Sequence, residues 1–293
     1  MRSVIGALIK SLRPHQWVKN LFVVAPLLFS KHLLDPSYGV ISGLAFLMFS
    51  LLSGSVYLVN DIFDIEKDRA HPKKCHRPIP SGRLPLPMAR TAAAVLTLAS
   101  LGISLRLGLP FFACAAGYLV LNLSYSLSLK HLPFVDVLSI ACGFLLRVEA
   151  GALAIKVPAS PWLLTCTFVL ASFLGFGKRA HELASAGERA VEQRAVLSRY
   201  KLSQLKMILW VLAAATCAAY LLYTLSPQTR LHFGTDRLMY TTPFAAFGVV
   251  RFMTLVSREG AADSPTDEML RDIPFMANLV LWAVTTVAII YFL

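Results

Sequence analysis

The densest chemistry in this chain lies in the stretch Tyr57-Leu-Val-Asn60-Asp61-Ile-Phe-Asp64-Ile-Glu-Lys-Asp68. At about 100° per residue of helix, Asn60, Asp61, Asp64 and Asp68 share one arc of about 100°, with Glu66 on the opposite side. Three like charges on one face repel, and near a membrane interface they are costly unless a cation or a substrate binds them. Hard carboxylate and amide oxygens suit Mg2+ that carries a substrate phosphate. Asn60, Asp61, Asp64 and Asp68 are therefore the candidate metal ligands, and the three aspartates the candidate catalytic groups. A solvated helix end would also explain a bare acidic cluster, but the ordered spacing directly after an apolar stretch favours the metal.

The next segment, His71-Pro-Lys73-Lys74-Cys-His76-Arg77-Pro78-Ile-Pro80-Ser-Gly82, is basic and stiffened by proline. Beside a magnesium-binding face, Lys74 offers a point charge and Arg77 a bidentate guanidinium to phosphate oxygens. A second basic pair, Lys178 and Arg179, closes a later apolar run and could grip a phosphate that arrives without metal; the ordinary alternative is the positive flank of a spanning helix. In the run 134–155, Asp136, Gly143, Arg147 and Gly151 fall on one helix face. Arg147 lies about 16 Å along the helix from its start, too deep to snorkel, so it faces a polar cavity or pairs with a buried acid such as Asp136. Glu149 points away from that face. Near the N-terminus Arg13, Gln16, Trp17 and Asn20 lie within about 80° of one another while Lys19 is turned aside. That pattern reads either as an amphipathic lead-in with a headgroup-level tryptophan or as a face for a phosphorylated substrate, and Tyr125 and Lys130 carry the same two readings.

The elements that must carry these residues follow from composition. Of 293 residues, 56% are hydrophobic and 15% charged. So much apolar surface cannot be hidden inside a soluble particle of this size. The expectation is an all-α, polytopic integral membrane protein forming a single transmembrane domain over 1–293. Spans of about 20 apolar residues can be placed nine times, at 15–30, 39–62, 88–106, 110–129, 134–155, 160–177, 204–225, 238–256 and 273–292. Pro14, Pro110, Pro133 and Pro161 stand where these helices begin. The net charge of +12 would suggest nucleic acid for a soluble domain, but here it falls on loops, and no nucleic-acid partner is expected. With nine spans, 21 of the 28 Lys/Arg lie on one side and five on the other. The positive-inside rule then places the N-terminus and the long connections 63–87 and 178–203 in the cytoplasm, the C-terminus outside, and anionic membrane lipids against the basic face. The five cysteines show no CxxC spacing and four lie in apolar runs, which favours small packing residues over a disulfide frame or zinc site, and no cleavable signal is evident.

Asn60-Asp61-x-x-Asp64-x-x-x-Asp68 after an apolar helix, followed by His-Pro-x-Lys74 and Arg77-Pro78, resembles the UbiA superfamily of intramembrane prenyltransferases, and the likeness runs over nearly the whole chain. Within it, Arg13-Pro-His-Gln16-Trp17-Val-Lys19-Asn20, Tyr125-Ser-Leu-Ser-Leu-Lys130, Asp136…Gly143-Phe-Leu-Leu-Arg147 and Gly177-Lys178-Arg179-x-x-Glu182 look like the polyprenyl-phosphate (decaprenyl-phosphate) phosphoribosyltransferase branch. The resemblance implies spans arranged around a cytoplasm-facing cavity in a bacterial inner membrane. It implies Mg2+-dependent transfer of 5-phosphoribose from phosphoribosyl pyrophosphate to a polyprenyl phosphate, releasing pyrophosphate, for cell-envelope precursor synthesis. It also carries substrate contact to Lys19, Asn60, Lys74, Arg77, Tyr125, Lys130, Asp136, Arg147, Lys178 and Arg179. Cys75, where that branch usually has a basic residue, and Glu149, where a small or apolar one is expected, are departures. The alternative is a prenyltransferase moving a polyprenyl group from its diphosphate to an aromatic or other acceptor. Such enzymes carry a second aspartate-rich motif near the end of helix 6, and here that place is basic. A transporter would show repeated interrupted helices, and no convincing repeat is present. Homo-oligomerisation stays open.

Overall fold

The computed structural model describes residues 2–71, 73–186, 195–258 and 265–293, so 187–194 of the long connection 178–203 lie outside the described residues. No strand occurs among the described residues, and eight helices are long and apolar enough to cross a membrane. Eight stands against the nine expected. The difference is the segment 15–30, which forms a 3-10 helix over Pro14–Val23 and then a short α-helix over Ala25–Phe29. Pro26 explains the break, because it has no N–H to donate to the Phe22 carbonyl.

By density of internal contacts the chain divides into two compact units, with the boundary inside one helix between Leu145 and Leu146. The first unit, Met1–Leu127 and Leu146–Ala159, contains α1 (Arg2–Ser11), the 3-10 helix, α2 (Ala25–Phe29), α3 (Pro36–Phe63), α4 (Ile65–Ala70), α5 (Leu86–Ser104), α6 (Leu109–Leu127) and the later half of α7 (Val135–Ala154). Asp35 caps α3 by accepting the Ser37 N–H at 2.9 Å, and Pro36 occupies the first turn, where its missing donor costs nothing. Phe49, Leu52 and Ala45 of α3 pack with Val23, Phe111, Ala115, Tyr118 and Ala150. Lipid tails are as apolar as these side chains, so close packing and polar contacts, rather than escape from water, hold such a core together.

A separate cluster joins Leu58 of α3 to Ala89 and Ala93 of α5, to Ala7 of α1, and to Ile79 and Leu84 of the basic segment. That segment is thus anchored: Pro78, Ile79 and Pro80 are buried and the Leu84 N–H donates to the Pro78 carbonyl at 2.9 Å. The 3-10 helix runs antiparallel along α3. Arg13, just before it, meets Asp61, whereas Asn20 donates to Ser50 and Ser53 at 3.1 and 3.2 Å. Seven residues at about 2.0 Å rise give about 14 Å. The eight to eleven residues of α3 between those contacts give about 12–16 Å. The two paths agree.

The second unit, Ser128–Leu145 and Ser160–Leu293, contains the first half of α7, then α8 (Pro161–Ala186), α9 (Leu202–Leu225), α10 (Pro227–Phe233), α11 (Thr242–Val256), α12 (Pro265–Met269) and α13 (Ile273–Phe292). Val137, Phe173, Phe176, Leu197, Leu205, Leu209 and Phe252 form its core. Arg251, which the sequence places inside a span, is matched by Asp272 through two hydrogen bonds of 2.9 and 2.7 Å, and Asp272 also caps α13 at the Phe275 N–H.

Candidate active site

The acidic motif ends α3 and continues into α4. Asp61 and Asp68 are both 2% exposed, an unusual burial for carboxylates, and cations meet them there. Arg77 Nη1 lies 3.1 Å from Asp61 Oδ1 and 2.6 Å from Asp68 Oδ2, so one guanidinium nitrogen bridges both acids. Arg13 Nη2 donates to the same Asp61 Oδ1, with its guanidinium over the Tyr57 ring at 4.7 Å. Lys74 Nζ stands 4.0 Å from Asp68 Oδ1. Asp61 and Asp68 are thus held by three cations, each of them partly exposed and within reach of an approaching phosphate. Glu66 points elsewhere and pairs with Arg69 on the exposed side, as its helical position predicts.

The four oxygen donors expected to hold a metal are not assembled as one cluster. Among the described residues no group of three or more His, Cys, Asp or Glu side chains is placed to hold an ion. Asp64 is the partly buried residue that ends α3, and Asn60 Oδ1 accepts from the Ser126 hydroxyl of α6. The donor chemistry nonetheless fits a hard divalent ion. Asp61 and Asp68 already converge on one cationic nitrogen, and Asn60 and Asp64 are their neighbours on the same helix end. Lys19 and Tyr125 are partly buried in this unit, Tyr125 directly before the Ser126 that bonds Asn60.

Arg147 is buried at 6% exposure. Its Nε donates to Asn20 Oδ1 and its Nη2 to the Tyr118 hydroxyl, both at 2.8 Å. Asn20 in turn donates to Ser50 and Ser53, so the guanidinium ties the 3-10 helix, α3, α6 and α7 into one polar seam. The seam depends on Gly151, one turn beyond Arg147. A Cβ there would stand 1.9 Å from the Val23 carbonyl oxygen, so only glycine admits the 3-10 helix this close.

In the second unit Asp136, fully buried, accepts from Arg179 Nε at 2.7 Å and from the Tyr200 hydroxyl at 2.6 Å. Arg179, 1% exposed, also donates to Glu182. Asp136 and Arg179, both expected to contact substrate, are paired with each other here, because a buried charge must find its counter-charge within the protein. Tyr200 was missed by the sequence reading. Its hydroxyl also accepts the Phe134 N–H, holding Phe134 at a φ of 66° just before α7. Burial and the adjacent Asp136 hold its phenol above the usual tyrosine range. A tyrosine at the end of a polar connection carries no periodic signal that could have revealed it. Lys178 and Lys130 are partly buried in the same unit.

These features define an all-helical, polytopic membrane protein with an oxygen-rich, guanidinium-bound site at the end of a spanning helix. Residues 21–266 match the UbiA prenyltransferase family. The chain is 33% identical to a decaprenyl-phosphate phosphoribosyltransferase of Mycolicibacterium smegmatis, over 99% of this chain and 94% of that one. It is 30% identical to the protein of the same name from Corynebacterium glutamicum, over 99% and 88%. A solved UbiA homologue from Archaeoglobus fulgidus, bound to DMAPP and Mg2+, superposes with a TM-score of 0.72 at 18% identity, covering 98% of this chain and 99% of that one. The chain belongs to the UbiA prenyltransferase family.

Proposed function

We propose that this protein transfers 5-phosphoribose from phosphoribosyl pyrophosphate to a polyprenyl phosphate at the cytoplasmic face of a bacterial inner membrane, with Mg2+. Likeness to phosphoribosyltransferases over the full length of the chain supports the reaction class. The observation that favours it over prenyl transfer lies within α8. Where a second metal-binding acid pair would be needed, the chain has Lys178 and Arg179, and Arg179 takes up both Asp136 and Glu182.

In this reading Asn60, Asp61, Asp64 and Asp68 hold the ion, while Lys74 and Arg77 donate to phosphate oxygens. Lys19, Tyr125, Lys130 and Lys178 are further phosphate contacts, and Asp136, Arg147 and Arg179 act by positioning. Bound Mg2+ supplies charge stabilisation to the departing pyrophosphate. The bond from the anomeric carbon to pyrophosphate breaks, and a bond to an oxygen of the lipid phosphate forms with inversion. That phosphate is anionic near neutral pH, so no general base is needed; the chain must align the two phosphates and exclude water.

Orientation follows the positive-inside rule, with the N-terminus and the acidic motif cytoplasmic and the C-terminus outside. The short traverse through Pro14–Phe29 along α3 supplies the crossing that restores an odd number. The test is incubation of purified protein with polyprenyl phosphate, labelled phosphoribosyl pyrophosphate and Mg2+. Lipid-dependent pyrophosphate release and a labelled lipid are expected. A prenylated product from a prenyl diphosphate and an aromatic acceptor, without labelled lipid, would overturn the proposal.

A further inference from the structure

Arg13 belongs neither to the acidic motif nor to the basic segment, yet it reaches Asp61 across 48 residues of sequence. Its backbone is left-handed, at a φ of 52°, a conformation unfavourable for any L-residue and more so before a proline. It is held there by the carboxylate and by the Tyr57 ring, one helical turn before Asp61. Asp61 Oδ1 accepts from Arg13 and from Arg77 at once. A carboxylate oxygen has two lone pairs, and both are in use. A divalent ion can ligate this atom only if one guanidinium leaves.

The two guanidiniums are not equally free to go. Arg77 is bound to Asp68 as well, at 2.6 Å, and the buried Pro78-Ile79-Pro80 stretch fixes its backbone. Arg13 keeps an aromatic face to rest on after it releases Asp61. We propose that Arg13 is a placeholder cation: it neutralises Asp61 in the metal-free protein, cedes that oxygen to the ion arriving with the donor, and then binds the donor's diphosphate from the Tyr57 ring. The donor's identity rests on the function proposed above, whereas the exchange needs only a divalent ion and a diphosphate.

The test compares wild type, Arg13→Gln and Arg13→Lys in detergent, with two readouts. Mn2+ uptake without donor is read from the loss of the free-ion electron paramagnetic resonance signal, and Mg2+–phosphoribosyl pyrophosphate binding by calorimetry. Removing a competing cation at a single carboxylate is expected to tighten Mn2+ uptake by Arg13→Gln about fivefold and to weaken donor binding about tenfold. Arg13→Lys keeps the charge, so its Mn2+ affinity should stay within about twofold of wild type. Opposite signs in the two readouts are the signature. Parallel losses in both would assign Arg13 a structural role and overturn the proposal, as would unchanged Mn2+ uptake in Arg13→Gln or no uptake by any of the proteins. Wild type that takes up Mn2+ but not the donor refutes the phosphoribosyl reading alone, and the Mn2+ readout still decides the exchange.

Discussion

Gly151→Ala tests the polar seam with a single methyl group. The new Cβ would lie 1.9 Å from the Val23 carbonyl oxygen and 2.8 Å from the Val23 carbonyl carbon. A relaxed carbon–oxygen contact is roughly 3.3 Å, so the 3-10 helix and α7 must part by about 1.4 Å. Both elements offer backbone, not a pliable side chain, at this point. Asn20 lies three residues from Val23, and its 2.8 Å hydrogen bond to Arg147 would stretch past 4 Å if the segment moved as a body. Overpacking costs about 1–3 kcal/mol and a lost hydrogen bond to a buried charge about 1.5–3, giving about 3–5 kcal/mol if they are partly shared. The internal control is Gly43→Ala in α3, where no atom lies within 4 Å and alanine's higher helix propensity is worth about 1 kcal/mol of stabilisation. Thermal unfolding in detergent should show a fall of several degrees for the first variant and no fall for the second, with transferase turnover lost in the first only. Wild-type melting and turnover in Gly151→Ala would refute the claim that close approach of Val23 positions Arg147.

Three further outcomes follow from the same geometry. Asp61→Ala should abolish transfer while the protein stays folded, since its partners Arg13 and Arg77 are partly exposed and can rehydrate; normal turnover would remove Asp61 from the reaction. Tyr200→Phe strips Asp136 of one donor and leaves the Phe134 N–H without its acceptor, a loss of about 2–3 kcal/mol that denaturant unfolding would measure. His71 accepts the N–H groups of Lys73 and Lys74 on Nδ1, and burial, then Lys74, hold its imidazole below the ordinary value. The neutral form is therefore the stabilising one: its contribution is complete above about pH 6.5 and is lost as pH falls through the lower folded value. Unfolding free energy measured across that range should fall on the acid side and flatten in His71→Gln.

The helical membrane fold was legible because apolar runs of spanning length leave few other solutions, and the acidic helix end was legible because helix periodicity puts Asp61 and Asp68 on one face. The segment 15–30 was not. Its composition reads as a span, but Pro26 interrupts it, and a 3-10 run with 2.0 Å rise covers the distance in fewer residues. Partner choice was equally hidden. Sequence periodicity placed Asp136 and Arg147 on the same face of α7, yet Asp136 turns to Arg179 and Tyr200 while Arg147 turns to Asn20 and Tyr118. A helix face says which way a charge points, and only the packed neighbours say what answers it.

That distinction changes what a basic motif means in this family member. Counted along the chain, Lys74, Arg77, Lys178 and Arg179 look alike, as cations available to phosphate. In the structure Arg179 is enclosed at 1% exposure between Asp136 and Glu182, whereas the side chain of Arg77 is 31% exposed and that of Lys74 40%. A guanidinium without water or access cannot exchange its carboxylates for an incoming phosphate without stranding two acids, one of them fully buried. Arg77 and Lys74 are partly exposed and can meet an incoming phosphate from where they stand, and in the proposed exchange the ion displaces Arg13 at Asp61. Metal and diphosphate should therefore bind together more tightly than either alone at the first unit, and Arg179 should contribute through the position it gives Lys178.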